Sequence, residues 1–136
     1  MYEDIQEVLF RQEQIQARVA QMGAQITIDY ADRQPLVVIS VLKGAAIFMA
    51  DLVRAIDLPL EMDFMAVSSY GLDATSSGTV TIVKDLNTSI EGKHILIAED
   101  ILDSGLTLDF LMRELSSRKP ATLEIATLLR KQGTQK

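Results

Sequence analysis

Cysteine and tryptophan are absent from this 136-residue sequence, and histidine occurs once. Without cysteine there is no disulfide scaffold, no thiolate metal site and no cysteine nucleophile. The missing thiols are compatible with a cytoplasmic protein without proving one. Positive charge is also scarce, with 13 Lys and Arg against 19 Asp and Glu, a formal charge of −6. A nonspecific nucleic-acid binder needs a basic face to displace counterions, so the balance argues against that class. The apolar stretches are interrupted by Lys43, Asp51 or Glu99. None approaches the roughly 18 residues of a spanning helix. The N-terminus opens Met1-Tyr2-Glu3-Asp4, without the basic and apolar regions of a signal peptide. The chain is expected to be soluble, with no membrane partner.

Hydrophobic residues at 48% and charged residues at 24% are a globular balance. The length suits one domain spanning residues 1–136, able to bury roughly two thirds of its unfolded surface without a staple. Ile5, Val8, Leu9, Ile15, Val19 and Met22 have helical spacing, and Gly23 reads as the C-cap. The Gln-rich side of that helix reads as a solvated face. After Pro35, the run Leu36–Leu42 suits a strand covered on both faces, as in a parallel sheet. Lys43-Gly44 breaks it, and Ala45–Ile56 reads as a helix packing Ile47, Phe48, Leu52 and Val53.

A strand over Leu60–Ser69, a polar loop over Tyr70–Gly78 and a half-buried strand over Thr79–Val83 follow. Asn87–Gly92 makes a turn into a buried strand, His94–Ala98, which ends at Glu99-Asp100. Asp103–Thr107 leads into a helix with Leu108, Leu111, Met112 and Leu115 on one face, and Pro120 precedes a last strand, Leu123–Leu129. Strands alternating with helices predict an α/β fold with a mainly parallel twisted sheet flanked by helices.

Ligands of such sheets sit beyond the carboxyl ends of the strands. Three features fall there. Ser104, Gly105 and Thr107 offer small side chains and backbone amides at a helix start, a place suited to phosphate. Glu99, Asp100 and Asp103 would repel that anion unless ribose hydroxyls or Mg²⁺ lay between them. The combination points to a phosphorylated sugar with a metal-bound pyrophosphate; the bland alternative makes Asp103 and Thr107 helix caps and Glu99-Asp100 a solvated strand end. Lys43-Gly44 could hold pyrophosphate oxygens or be an ordinary turn. The polar loop from Ser68 to Gly78 is a lid or an exposed hairpin. His94, at the far end of its strand, reads as structural, and Met49, Met62, Met65 and Met112 read as packing.

LKG at 42–44, SSYG at 68–71, ILIAEDILDSGLT at 95–107 and LLRK at 128–131 closely resemble the type I phosphoribosyltransferases. Within them, the set resembles the bacterial hypoxanthine-guanine enzymes, and RKPATLEIATLLRK resembles the 6-oxopurine branch. The resemblance implies transfer of a 5-phosphoribosyl group from phosphoribosyl pyrophosphate (PRPP) to N9 of hypoxanthine or guanine, releasing pyrophosphate with Mg²⁺. It implies that Ser104, Gly105, Leu106 and Thr107 cradle the 5-phosphate. Glu99 and Asp100 contact the ribose hydroxyls and the metal, and Asp103 accepts the purine N7 proton. Lys43 and Gly44 hold pyrophosphate, with a non-proline cis peptide before Lys43. Ser69 and Tyr70 belong to the lid, and Lys131 donates to the purine O6.

A homo-oligomer, dimer or tetramer, is expected, in the cytoplasm. Relatives of this type continue past LLRK with a further strand and a hood over the purine. The sequence given carries neither, so it is expected to be shortened at its C-terminus. The rival reading is a non-catalytic PRPP- or nucleotide-binding module, or an inactive fragment.

Overall fold

A computed structural model of the chain describes residues 11–68, 80–102 and 105–130. The elements in order are α1 (Gln12–Asp29), β1 (Leu36–Val41), α2 (Ala46–Arg54), β2 (Glu61–Ser68), β3 (Thr81–Lys84), β4 (His94–Leu102), α3 (Leu106–Ser116) and β5 (Thr122–Arg130). They build one five-stranded sheet in the order β3-β2-β1-β4-β5. Every neighbouring pair is parallel except β2–β3, which is antiparallel with a register shift at Ala66/Val67. The α/β expectation holds.

β1 is the central strand, which is why its apolar run does not alternate with polar residues. Alternation instead divides it between two cores. Leu36 and Val38 join Met49, Leu52, Leu96 and the apolar stripe of α1, while Val37 and Ile39 join Met65, Ile95, Ile97 and Leu111. Among the described residues of β1, only Ser40 breaks this pattern of aliphatic side chains.

The α1 stripe is Ile15, Val19, Met22, Ile26 and, just past the helix, Tyr30. Ile5, Val8 and Leu9 lie outside the described residues. Gly23 is not a C-cap, because α1 continues six residues beyond it to Asp29. Its real constraint is distant in sequence: a Cβ at Gly23 would lie 2.3 Å from Ala55 Cβ and 2.4 Å from the Ala55 carbonyl oxygen. The absent side chain is what lets α1 close on the end of α2. Thr27 reinforces the junction, donating to the Gly23 carbonyl at 2.7 Å and accepting from the Asp57 amide at 2.9 Å. The end of α1 is tied to β5 by the buried Tyr30, whose hydroxyl donates to Glu124. Burial and the Glu124 carboxylate both push the Tyr30 pKa upward, so the phenol stays protonated as a donor.

Two expected core residues are exposed. Ile47 is 77% exposed because α2 turns Phe48, Met49 and Leu52 inward, and Met62 is 47% exposed on β2. Periodicity had placed both in the core. The expected strand ends also move: β4 runs through Glu99 and Asp100 to Leu102, and α2 stops at Arg54, short of Ile56. Met49 and Met65 are buried, and Met112 packs from α3 onto the core. His94 pairs with Thr122 across β4–β5 at 2.9 Å, a structural role as expected.

Candidate active site

The strand order reverses direction between β1 and β4: the chain runs outward from β1 to β2 and β3, then returns to place β4 and β5 on the other side. Such a switch point leaves a crevice at the carboxyl ends of two adjacent parallel strands. The register pairs Ile39 with Ile97. Continued two residues, it brings Val41, the last residue of β1, level with Glu99. The Lys43 turn and the acidic strand end therefore share one edge of the sheet.

On the β1 side the turn is anchored at both ends. The Leu42 amide donates to the Met65 carbonyl at 2.7 Å, and the Ala46 amide turns back onto the Lys43 carbonyl at 3.1 Å. The Leu42–Lys43 peptide is cis, the geometry the resemblance implies; Gln34–Pro35 is cis as well. Lys43 is exposed and has no ion-pair partner among the described residues. A Cβ at Gly44 would meet no atom within 4 Å, so neither packing nor a left-handed backbone requires glycine there. The space beside it is open for something approaching the backbone.

On the β4 side, α3 begins at Leu106 with Gly105 as N-cap, in extended conformation and without a side-chain cap. Thr107 is therefore not the cap, and the bland reading of that residue falls away. The first-turn amides of α3 carry the partial positive charge of a helix start. A Cβ at Gly105 would touch only the Thr107 nitrogen, at 3.9 Å. Among the described residues, then, no contact requires either site glycine.

Between the two lie Glu99 and Asp100. Strand alternation sends Glu99 to the side of Ile95 and Ile97 and Asp100 to that of Leu96 and Ala98. The two side chains leave the strand on opposite sides, yet their carboxyl groups are near enough for the Asp100 charge to act on Glu99. Glu99 is pushed up to about 7, first by burial and then by the neighbouring Asp100 charge. Among the described residues no three His, Asp or Glu side chains are grouped to hold a metal by themselves.

The raised value has a sign. Between the ordinary 4.5 and about 7, the folded chain binds a proton that the unfolded chain has released. Stability linked to Glu99 is therefore full below 4.5 and falls as pH rises through 7. Glu99→Gln is expected to flatten that slope and to melt higher than the parent at pH 8. Thermal melts of both proteins from pH 4.5 to 8 check it, and parallel curves would contradict it.

The structure thus brings Lys43, Gly44, Glu99, Asp100, Gly105, Leu106 and Thr107 to one end of the sheet. Ser69, Tyr70, Asp103, Ser104 and Lys131 lie outside the described residues. One residue near the site was overlooked in sequence. Ser40, in the strand leading to the Lys43 turn, is fully buried with its hydroxyl unpaired. A single hydroxyl within the run Leu36–Leu42 was the available signal.

This arrangement has known counterparts. The phosphoribosyl transferase domain family matches residues 6–136. A hypoxanthine-guanine phosphoribosyltransferase of Mycobacterium avium is 54% identical over 133 residues, covering 94% of this chain and 66% of the relative. One of Bacillus subtilis is 54% identical over 136 residues, covering 100% of this chain and 75% of the relative. The chain therefore spans just under two thirds of the mycobacterial protein's length. A crystal structure of a hypoxanthine phosphoribosyltransferase from Staphylococcus aureus superimposes with a TM-score of 0.88 at 50% identity, covering 97% of this chain and 71% of that one. By sequence and by fold alike, the chain belongs to the phosphoribosyl transferase domain family.

Proposed function

We propose that the chain acts in purine salvage, transferring the 5-phosphoribosyl group of PRPP to N9 of hypoxanthine or guanine to give IMP or GMP and pyrophosphate. The observation that carries this is the pairing of two anion-ready turns at one switch point, Lys43-Gly44 after β1 and Gly105–Thr107 after β4, with Glu99 and Asp100 between them. The spacing of a sugar carrying phosphate at one end and diphosphate at the other asks for two such turns. Hypoxanthine-guanine relatives at more than half identity support the choice of purine.

In this reading Ser104, Gly105, Leu106 and Thr107 hold the 5-phosphate with backbone amides and hydroxyls at the start of α3. The Lys43 ammonium and the open backbone at Gly44 take the diphosphate. Glu99 and Asp100 accept hydrogen bonds from the ribose diol and would hold Mg²⁺. Two adjacent carboxylates are the hard oxygen donors such an ion takes alongside its waters and diphosphate oxygens. Bound Mg²⁺ supplies neutralising charge to the diphosphate.

As the C1′–O bond to diphosphate breaks, positive charge grows on the sugar, and the carboxylates below it favour that charge. The N9–C1′ bond forms while Asp103 takes the N7 proton, which keeps the purine nucleophilic. Ser69 and Tyr70, on the lid, exclude water. Lys131 donates to O6, and a 6-amino purine would face it with a donor instead of an acceptor. The proposal includes a cytoplasmic homo-oligomer. Separately, no described helix is long and apolar enough to cross a membrane.

The test is direct. The purified chain is incubated with PRPP, Mg²⁺ and guanine, and GMP and pyrophosphate are followed. Stoichiometric appearance of both, abolished by chelation of the metal, is the expected result. Folded chain that binds PRPP yet forms neither product would reduce it to a PRPP-binding module.

A further inference from the structure

Beyond the strand-end residues, the hydroxyl of Ser40 stands out in the core. Protein interiors leave few buried polar atoms without partners, and each one calls for a reason. Ser40 is 0% exposed, and its Oγ is the one buried side-chain polar atom without a hydrogen bond among the described residues. The rest of β1 is aliphatic, so an alanine or valine would satisfy the core equally well. Serine here carries a cost that the fold does not recover.

Its position suggests where the return lies. Ser40 pairs in register with Phe64 and lies on the α1–α2 side of the sheet, three residues before Lys43. The element that follows, α2, begins with amides that need partners, and its N-cap, Ala45, has no side chain to supply one. The turn between them is pinned by the Leu42 amide on Met65 and by the Ala46 amide on Lys43, while a Cβ at Gly44 would meet no described atom within 4 Å. An unspent hydroxyl thus stands on the strand that leads into this turn, on the same side of the sheet as α2.

We infer that Ser40 is a positioning residue for the Lys43–Gly44 turn: when the turn closes on a diphosphate, the Ser40 hydroxyl pairs with a backbone group of the turn or of the first turn of α2. The hydroxyl does not touch the ligand. It fixes the backbone that does, and the inference rests on the phosphoribosyl-transfer reading of that turn. Ribose 5-phosphate, which reaches the α3 start but carries no diphosphate, should be indifferent to it.

The experiment is calorimetric titration of wild type, Ser40→Ala and Ser40→Cys with Mg-pyrophosphate and, separately, with ribose 5-phosphate, beside thermal melts. Ser40→Ala is expected to melt at or above the wild type, since only an unpaired hydroxyl is lost. It should bind pyrophosphate roughly five- to tenfold more weakly, the size of one hydrogen bond, with ribose 5-phosphate affinity unchanged. Ser40→Cys, near in volume but a weaker donor, should fall between the two. Unchanged pyrophosphate affinity, an equal loss for both ligands, or a cysteine variant weaker than alanine would each overturn the inference. A wild type that binds neither ligand would instead overturn the proposed function, and this inference with it.

Discussion

Gly23→Ala is expected to lower the stability of the chain by about 3 kcal/mol, the range of an overpacked core position. Considered as an isolated helix the substitution should help, because alanine outranks glycine by about 1 kcal/mol in a helix interior. The tertiary contact reverses the sign. A methyl group at Gly23 would stand 2.3 Å from Ala55 Cβ, 2.4 Å from its carbonyl oxygen and 2.6 Å from its carbonyl carbon. Two of those atoms are backbone, so no rotamer change relieves the clash. α1 must lift from α2, loosening Val19, Met22 and Ile26 from the core. Urea unfolding reads the loss as a lower midpoint; an unchanged midpoint would mean that α1 and α2 do not meet at this residue. Adding Ala55→Gly should recover only part of the loss, since the carbonyl remains in the way.

Asp103→Asn carries the largest effect expected on turnover, roughly 10²- to 10⁴-fold, the span of a lost general base. The amide keeps the shape and much of the hydrogen bonding of the carboxylate but cannot take the N7 proton. PRPP binding should persist, because the phosphate contacts are assigned to neighbouring amides and hydroxyls. Steady-state rates of GMP formation, alongside PRPP titration, separate the two. Near-normal turnover would remove Asp103 from the proton-acceptor role. Parallel loss of PRPP affinity would make it a binding residue instead.

Much of this architecture is legible in the chain, and the misses have physical causes. The run at Leu36–Val41 announces a strand covered on both sides because a central parallel strand has no solvated face. Gly23 misleads because a glycine late in an amphipathic pattern looks like a cap. Its actual partner, Ala55, is 32 residues away and invisible to any local window. Ile47 and Met62 mislead for a related reason: apolar spacing identifies a face but not what covers it.

In the site, the strand-end rule alone brings Lys43, Gly44, Glu99, Asp100, Gly105 and Thr107 to one edge of the sheet. The extension of β4 through the acidic pair, which parts Glu99 from Asp100 by alternation, was not readable. Nor was the partnerless state of Ser40, since a missing hydrogen bond is a property of three dimensions.

The glycines sort variants of this protein into two kinds of lesion. At Gly23 an added methyl group collides with backbone, and the damage reaches the cell as protein lost to proteolysis. At Gly44 and Gly105 the same methyl group meets no described atom closer than 3.9 Å. Damage there leaves a full complement of well-folded, inert molecules. A survey that scores abundance would flag the first position and pass the other two as silent, so a phenotype without a drop in protein level is the signature of this site's own glycines.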